Sequence, residues 1–524
     1  MTSDWQLRPV DGALSSEWIR NGWWTDDTLG SLLYEGLGAH RDEPFSVRSA
    51  VRPTTSSLGQ VRDDALALAA GLRERGVGVG DVVGFQLPNW VEAAHVFYAA
   101  SFLGAVVMPI VHFYGTKEVG YILRRTPPKA FVTYDAFGPL SGTATLLASG
   151  APMPELVAVV GDDPSGFESI DAWYGPPLEG PALADPSSPA LVAYTSGTTA
   201  DPKGVIHTHR TIGFEVRQLA SMQPPKAPPT IVGAPVGHGI GMLGALLIPA
   251  VQGRPIHLVD VWDPGAVLRQ MAEDELMSGA GATFFLTSLL DHPDFDPDVH
   301  LPLMRFVGLG GATVPDAIAE RTHDIGISIV RMYGSTEHPS TTGSSHDDPF
   351  DKKARTDGHP LLGCELRLAD DGEIFSRGPD CCAGYTDPAL TGAAFDADGW
   401  YRTEDIGVLD ADGFLTITDR KKDVIIRGGE NISAVEVEDV LLRIDGVLEC
   451  AVVAAPDDRL GEHACAFVRG RVPALTDVQA AMADAGLAKQ KWPEEVREVE
   501  AFPRTPSGKI QKFVLREQLR EEAL

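Results

Sequence analysis

The sequence predicts an α/β fold with a largely parallel sheet, closed by a smaller antiparallel element and followed by a second compact segment. Three observations carry that expectation. Short apolar runs alternate with helix-length stretches from Gln60 to Met332. After Gly363 the runs shorten and tight polar turns separate them. Past the charged stretch Asp419–Asp423, helix and strand patterns resume. The 524 residues also exceed what one core sustains, so at least two domains are expected.

Along the chain, Val61, Ala65, Leu66, Leu68, Ala69 and Leu72 form the apolar stripe of a helix from Gln60 to Arg75, which Gly76 closes. Val82–Leu87 follows as a strand. Ala93–Val111 is almost continuously apolar and could be mistaken for a membrane span, but Pro109 would break a helix there. It reads as a buried helix from about Trp90 to Leu103 and a strand from Val106. Leu156–Val160, Ala190–Tyr194, Phe306–Leu309 and Ile327–Met332 read as further strands, and the Pro-rich patch Pro224–Pro229 as a loop. Glu365–Leu368, Glu373–Phe375 and Phe414–Ile417 are short strands of an antiparallel sheet or small barrel. Asp419–Asp423 reads as a charged linker. A helix near Ala434–Leu442, strands at Leu448–Ala454 and His463–Val468, and a helix after Lys512 complete the chain.

Composition narrows the function. A formal net charge of −30 argues against nucleic acid or an anionic membrane as the main partner. Any phosphate-bearing ligand must then be held by local cations and backbone amides. The five cysteines show neither zinc-like nor redox spacing, which fits reduced thiols in a cytoplasm. Met1–Trp5 lacks a basic region followed by an apolar run, so no secretory signal is expected.

The most informative segment is Tyr194–Val205, which combines Thr195, Ser196, Gly197, Thr198, Thr199, Lys203 and Gly204 between two strand-like runs. Such a loop can offer amides and hydroxyls to phosphate oxygens. It is not a Walker A loop, because Pro202 precedes Lys203 and Gly204 leads into a strand. The segment resembles the phosphate loop of the adenylate-forming superfamily: acyl-CoA synthetases, adenylation domains of peptide synthetases and beetle luciferases. Further signatures follow in the family's order. They are Met332–Glu337, Gly399–Asp405, Asp419–Asp423, Gly428–Ile432 and Pro503–Lys509.

The resemblance implies a large N-terminal domain of layered α/β subdomains with a small antiparallel barrel, residues 1–421. It also implies a small mobile α+β C-terminal domain, residues 422–524. By that resemblance, Thr195, Ser196, Thr198 and Lys203 would contact the β- and γ-phosphates of ATP, with Gly197 and Thr199 also binding the cofactor. Thr336 would hold the α-phosphate, and Glu337 would ligate Mg²⁺, a hard cation suited to one carboxylate plus phosphate oxygens. Asp405 would accept hydrogen bonds from the ribose with Arg420 beside it, and Tyr333 would flank the adenine, with Gly311 and Gly334 at the nucleotide. Lys509 would be the catalytic lysine, a point charge for the α-phosphorus where carboxylate attack concentrates negative charge. Lys422 would be the hinge, and Gly428, Gly429 and Glu430 would line the approach of coenzyme A in a second conformation. His238 resembles a residue beside the family's acyl pocket, a wall that shifts between half-reactions and not a general base.

Two departures from the family pattern stand out. Ala200 replaces a glycine in the phosphate loop, and Glu404 replaces the glycine usual before the ribose aspartate. The segment around His238 offers no aspartate for a substrate ammonium, and few residues follow Lys509, which favours a free-standing enzyme for a non-amino acid. The expected reaction is an ATP-dependent acid–CoA ligation with ATP, Mg²⁺ and coenzyme A. Gly237, Gly239 and Gly241, with Gly308, Gly310 and Gly311, point to a roomy cleft for a hydrophobic acid: fatty, alicyclic or ring-bearing. A luciferase-like oxygenase, an adenylating enzyme with a non-CoA acceptor, and a non-catalytic binder stay open as alternatives. The partners expected are these small molecules, and a homodimer is left open.

Overall fold

Helix Leu58–Glu74 begins where Ser57 accepts a hydrogen bond from the Gln60 amide and ends before Gly76, whose φ of +85° suits glycine. Its apolar stripe packs on helix Val91–Phe102, which is buried from Glu92 onward and ties Tyr98 Oη to the Leu246 carbonyl at 2.9 Å. In the computed structural model the described residues are 5–195, 202–223, 228–311, 314–457, 459–504 and 509–522. Met1–Asp4 and Pro224–Ala227 of the Pro-rich patch lie outside them.

These helices cover an eight-stranded sheet. Its order is Gly384–Tyr385, Gly204–Thr208, Pro189–Tyr194, Val106–Ile110, Val82–Gln86, Ala130–Tyr134, Leu156–Val160 and Glu168–Ser169. From Pro189–Tyr194 onward the strands run parallel, and the central ones are buried at every residue, as a sheet covered on both faces requires. Pro109 lies near the end of its strand, opposite Phe85; on the other side the strand pairs only through Val107 and Leu191. The apolar segment Ala93–Val111 is thus a core helix and strand. Among the described residues no helix is long and apolar enough to cross a membrane.

A second sheet joins Ile231–Val232, Ile256–Val259, Pro44–Arg48 and Thr54–Ser57; a third joins Phe306–Gly310, Ser328–Tyr333, Thr342–Gly343 and His359–Pro360. The antiparallel element expected after Gly363 is a sheet of Glu365–Leu368, Glu373–Arg377, Tyr401–Leu409 and Leu415–Arg420. Strand Tyr401–Leu409 has no clear alternation and was not anticipated. The linker reading needs correction as well. Asp419 and Arg420 belong to the last strand, where they pair with Ile406 and Asp405, so the connection begins only at Lys421. Their charges are met across the ladder and near the next helix: Arg420 lies against Asp405, and Asp419 accepts from the Ala434 amide at 3.1 Å.

Beyond Lys421, five strands form their own sheet: Glu430–Ile432, Ile425–Arg427, Gly461–Gly470, Val447–Asp457 and, parallel to Gly461–Gly470, Glu495–Glu498. Helix Ala434–Leu441 packs its Val437 and Leu441 with Ile425, Ile432, Val452 and Val468 in a separate buried cluster. Helix Lys512–Glu522 seals the other face through Leu515 and Leu519. Burying such a side chain contributes about 1.5–3 kcal/mol. Either cluster therefore supplies this sheet with a core of its own.

Candidate active site

The sheets converge on a cleft of about 2780 Å³, lined by residues from the parallel sheet to the C-terminal segment. Strands Pro189–Tyr194 and Gly204–Thr208 pair antiparallel, so the loop between them is pinched at its base. The Thr195 amide donates to the Lys203 carbonyl at 2.9 Å, and Tyr194 pairs with Gly204. This brings Thr195 and Lys203 to the cleft wall, with the Lys203 ammonium 5.8 Å from the centre of the Tyr385 ring. Ser196, Gly197, Thr198 and Thr199 lie outside the described residues.

Strand Ser328–Tyr333 delivers the next group. Tyr333 Oη donates to Asp405 Oδ2 at 2.7 Å, and Arg420 Nε stands 3.3 Å from Asp405 Oδ1. Asp405 and Arg420 face each other because their strands pair in that register. Burial raises the Asp405 carboxyl above its ordinary value, outweighing the Arg420 charge and the Tyr333 hydrogen bond. After Gly334 the chain turns sharply: a β-carbon there would fall 1.9 Å from the Pro339 carbonyl oxygen, so glycine is required. The turn is braced by His207, whose Nε2 is 2.7 Å from the Thr336 carbonyl oxygen. Glu337 is buried on the cleft wall and accepts from Tyr385 Oη at 2.7 Å. A fixed carboxylate of this kind fits a hard divalent cation shared with phosphate oxygens.

Lys509 reaches the same cleft from the far end of the chain. Its ammonium pKa is lowered by burial first and by Arg420 second, while Asp405 and Glu337 oppose the shift. The lysine thus lies in the joint field of the groups expected around a nucleotide. His238 feels it too: burial, then the Lys509 charge, lowers the imidazole to about 4. The ring is therefore neutral near pH 7, and its Nδ1 caps the turn Gly239–Gly241 by accepting from the Ile240 amide at 3.4 Å. Such a group suits a wall better than a base.

The glycine-bearing side of the cleft corrects the glycine reading. A β-carbon on Gly237, Gly241 or Gly310 would strike a backbone oxygen at 2.6, 2.2 or 2.9 Å, and one on Gly311 would meet Ile240 Cδ1 at 2.8 Å. These glycines admit close packing and do not widen the cleft; only Gly239 and Gly308 border open space or ordinary contact. The apolar wall is supplied by side chains no local motif announced. Trp262 and Phe285 meet edge to face at 4.7 Å, Trp262 Nε1 donates to Ser288 Oγ at 2.9 Å, and Phe284 stands beside them. Met242–Leu247 is a π-helical stretch, a wide turn common at functional sites, and Met242 and Leu243 face the cleft.

Gly428, Gly429 and Glu430 are not brought to the cleft. They form an exposed hairpin tip, with φ of +59° and +90° at the two glycines. Lys422 sits at the cleft's edge, its Nζ 2.7 Å from Glu404 Oε2. Sequence reasoning missed Tyr385, His207, Trp262 and Phe285. The tyrosine in Gly384-Tyr385 carried no local signal, since its partner Glu337 is distant in sequence.

A family model described as "AMP-binding enzyme" matches residues 37–386, and one described as "AMP-binding enzyme C-terminal domain" matches residues 436–509. The chain is similar to the medium-chain fatty-acid–CoA ligase of Escherichia coli (strain K12), 34% identical over 95% of this chain and 92% of that one. It is also similar to a 3-[(3aS,4S,7aS)-7a-methyl-1,5-dioxo-octahydro-1H-inden-4-yl]propanoyl:CoA ligase of Rhodococcus jostii (strain RHA1), 34% identical over 88% and 93%. Among solved structures, ATP-bound MatB from Rhodopseudomonas palustris superposes with a TM-score of 0.82 at 27% identity, covering 95% of this chain and 100% of that one.

Proposed function

The chain belongs to the AMP-binding enzyme family, and on that premise we propose that it is an ATP-dependent acid–CoA ligase acting on apolar carboxylic acids. The observation that carries this reading is the meeting of Lys509 with Glu337, Asp405 and Arg420 in one cleft whose other wall is Trp262, Phe284 and Phe285. Relatives matched over nearly the whole chain activate a medium-chain fatty acid and an alicyclic propanoate, which supports the same class here.

In the first half-reaction a carboxylate oxygen of the acid attacks the α-phosphorus of ATP. The bond to the bridging oxygen breaks, and pyrophosphate leaves with the acyl-adenylate formed. Lys509 offsets the negative charge gathering on the α-phosphate oxygens, a role that low surrounding dielectric strengthens. Asp405 accepts from the ribose hydroxyls, Thr195 and Lys203 hold the outer phosphates, and Thr336 the α-phosphate. Mg²⁺ at Glu337 supplies charge neutralisation to the phosphates when bound. In the second half-reaction the CoA sulfur attacks the acyl carbonyl, the thiol proton is lost, and AMP departs.

Lys509 stands at the α-phosphate in the first step and the CoA thiol needs that same approach in the second, so the segment carrying Lys509 must turn away after the first. Lys422 is the pivot of that turn, dividing residues 1–421 from 422–524. Its neighbours support the division. Lys421 is anchored backward, to Asp371 and Glu373 at 2.8 Å each, whereas Asp423 pairs forward with Arg516 of the last helix. The turn would carry the Gly428–Glu430 tip to the cleft for CoA. The five cysteines are free and buried, which fits a reducing cytoplasm.

Acid-dependent ATP–pyrophosphate exchange, followed by CoA-ester formation across straight-chain and alicyclic acids, tests the proposal. Exchange and thioester with the apolar acids are expected. Exchange without any CoA ester would reassign the acceptor, and no exchange with any acid would refute the reading.

A further inference from the structure

Glu404 is one of the non-glycine residues with positive φ, +61°, in the left-handed region that glycine occupies freely and a β-carbon disfavours. Its neighbours hold it there. Thr403 Oγ1 donates to the Ile374 carbonyl at 2.7 Å, Asp405 N donates to Thr403 Oγ1 at 3.1 Å, and the Glu404 carbonyl accepts from the Lys421 amide at 2.9 Å. The side chain lies against Lys422, with Oε2 2.7 Å from Nζ. Burial works against ionisation of this carboxyl, but the Lys422 hydrogen bond and charge, then Lys203 and Arg420, leave its pKa lowered.

Lys422 therefore lies between one residue tied to the large domain and one tied to the last helix, while its own side chain is tied back to the large domain. We propose that Glu404 is the catch of this hinge: through Lys422 it holds the C-terminal segment in the arrangement that presents Lys509 to the cleft, and the pair opens when the segment turns. This rests on the reading of Lys422 as the pivot. Glu404 touches neither reacting atom; it is a positioning residue. Both partners are half-exposed, so the pair shifts the domain equilibrium modestly, by about two- to five-fold. A catch of that strength biases the first step without blocking the second.

The test compares Glu404→Gln and Lys422→Met, singly and together, with the charge-exchanged pair Glu404→Lys/Lys422→Glu. Glu404→Gly serves as a second variant whose backbone suits a φ of +61°. Spin labels at exposed Arg73 and Glu521 report the domain distance in full-length protein without substrate. Single-turnover assays report adenylation and, separately, thioester formation from supplied acyl-adenylate. Each single variant should raise the turned population and the thioester-to-adenylation rate ratio about two- to five-fold. The double variant should go no further, and the exchanged pair should return toward wild type. Unchanged distances and rate ratios in the single variants would overturn the proposal, as would additive effects in the double variant. The distance measurement needs no substrate, so it separates failure of the catch from failure of the ligase reading, which would show as no CoA ester from wild type.

Discussion

At the scale of single residues, charge and burial oppose each other throughout the cleft. Lys509 is a cation whose charge burial disfavours, kept beside two carboxylates and a guanidinium. On the proposed reading its use is at a pentacovalent phosphorus, where a charge-stabilising donor is worth about 10²–10³-fold in rate. Lys509→Ala is expected to lose that factor in pyrophosphate exchange yet convert supplied acyl-adenylate to thioester at near wild-type rate; equal loss in both steps would make Lys509 structural. Glu215 is a different buried group. Ser340 Oγ donates to its Oε1 at 2.7 Å, and burial first, then the Asp380 charge, push its pKa up to about 8. The folded state then holds a proton that the unfolded chain releases near the ordinary value of 4.5. Its contribution to stability is present below that value and lost as pH rises through about 8. Glu215→Gln mimics the protonated form. Its Tm advantage over wild type should accordingly be greater at pH 8 than at pH 5 in thermal melts, and the reverse order would refute the assignment.

At the scale of elements, the antiparallel strands Tyr401–Leu409 and Leu415–Arg420 do two jobs. Their register sets Arg420 opposite Asp405, and their end feeds directly into the proposed pivot. Only a short stretch joins the two tethers at Lys421 and Asp423, and such stretches absorb large φ/ψ changes. Proline fixes φ near −65° and removes an amide donor. Lys422→Pro also loses the ammonium that Glu404 holds, but a fixed backbone outweighs a bias of about two- to five-fold, so this variant should trap the arrangement with Lys509 at the cleft. Stopped-flow assays should show pyrophosphate exchange within a few-fold of wild type and thioester formation slower by orders of magnitude. Equal loss in both steps, or none, would sink the hinge assignment. The helix Leu58–Glu74 was legible because its buried face repeats at the helical period, and the strand Leu156–Val160 because a short, continuous apolar run marks a strand covered on both faces. Strand Tyr401–Leu409 was not, since its Thr403 and Asp405 serve the ladder and the cleft instead of a core face.

For the whole molecule, the cleft draws its walls from several sheets, and the side proposed to take the acid is aromatic and aliphatic. Each buried methylene contributes about 0.8 kcal/mol, so several added carbons should raise kcat/KM more than tenfold over acetate. A steady-state panel from acetate through medium-chain to alicyclic acids checks this, and acetate or propionate as the best substrate would contradict the apolar wall.

The sequence by itself determined the alternation of strand and helix and the ordered signatures, from Tyr194–Val205 to Lys509. Those features depend on local sequence: glycines where φ is positive, a hydroxyl-rich segment, a period of apolar residues. Only the tertiary structure decided which glycines open space and which admit Ile240 or a backbone oxygen. It alone joined Tyr385 to Glu337, Lys422 to Glu404 and Lys509 to the field of Asp405. Those pairs are far apart in the chain, so no local period or motif records them. They exist because sheet register and core packing bring distant strand ends to one cleft, where burial gives each charge a specific partner.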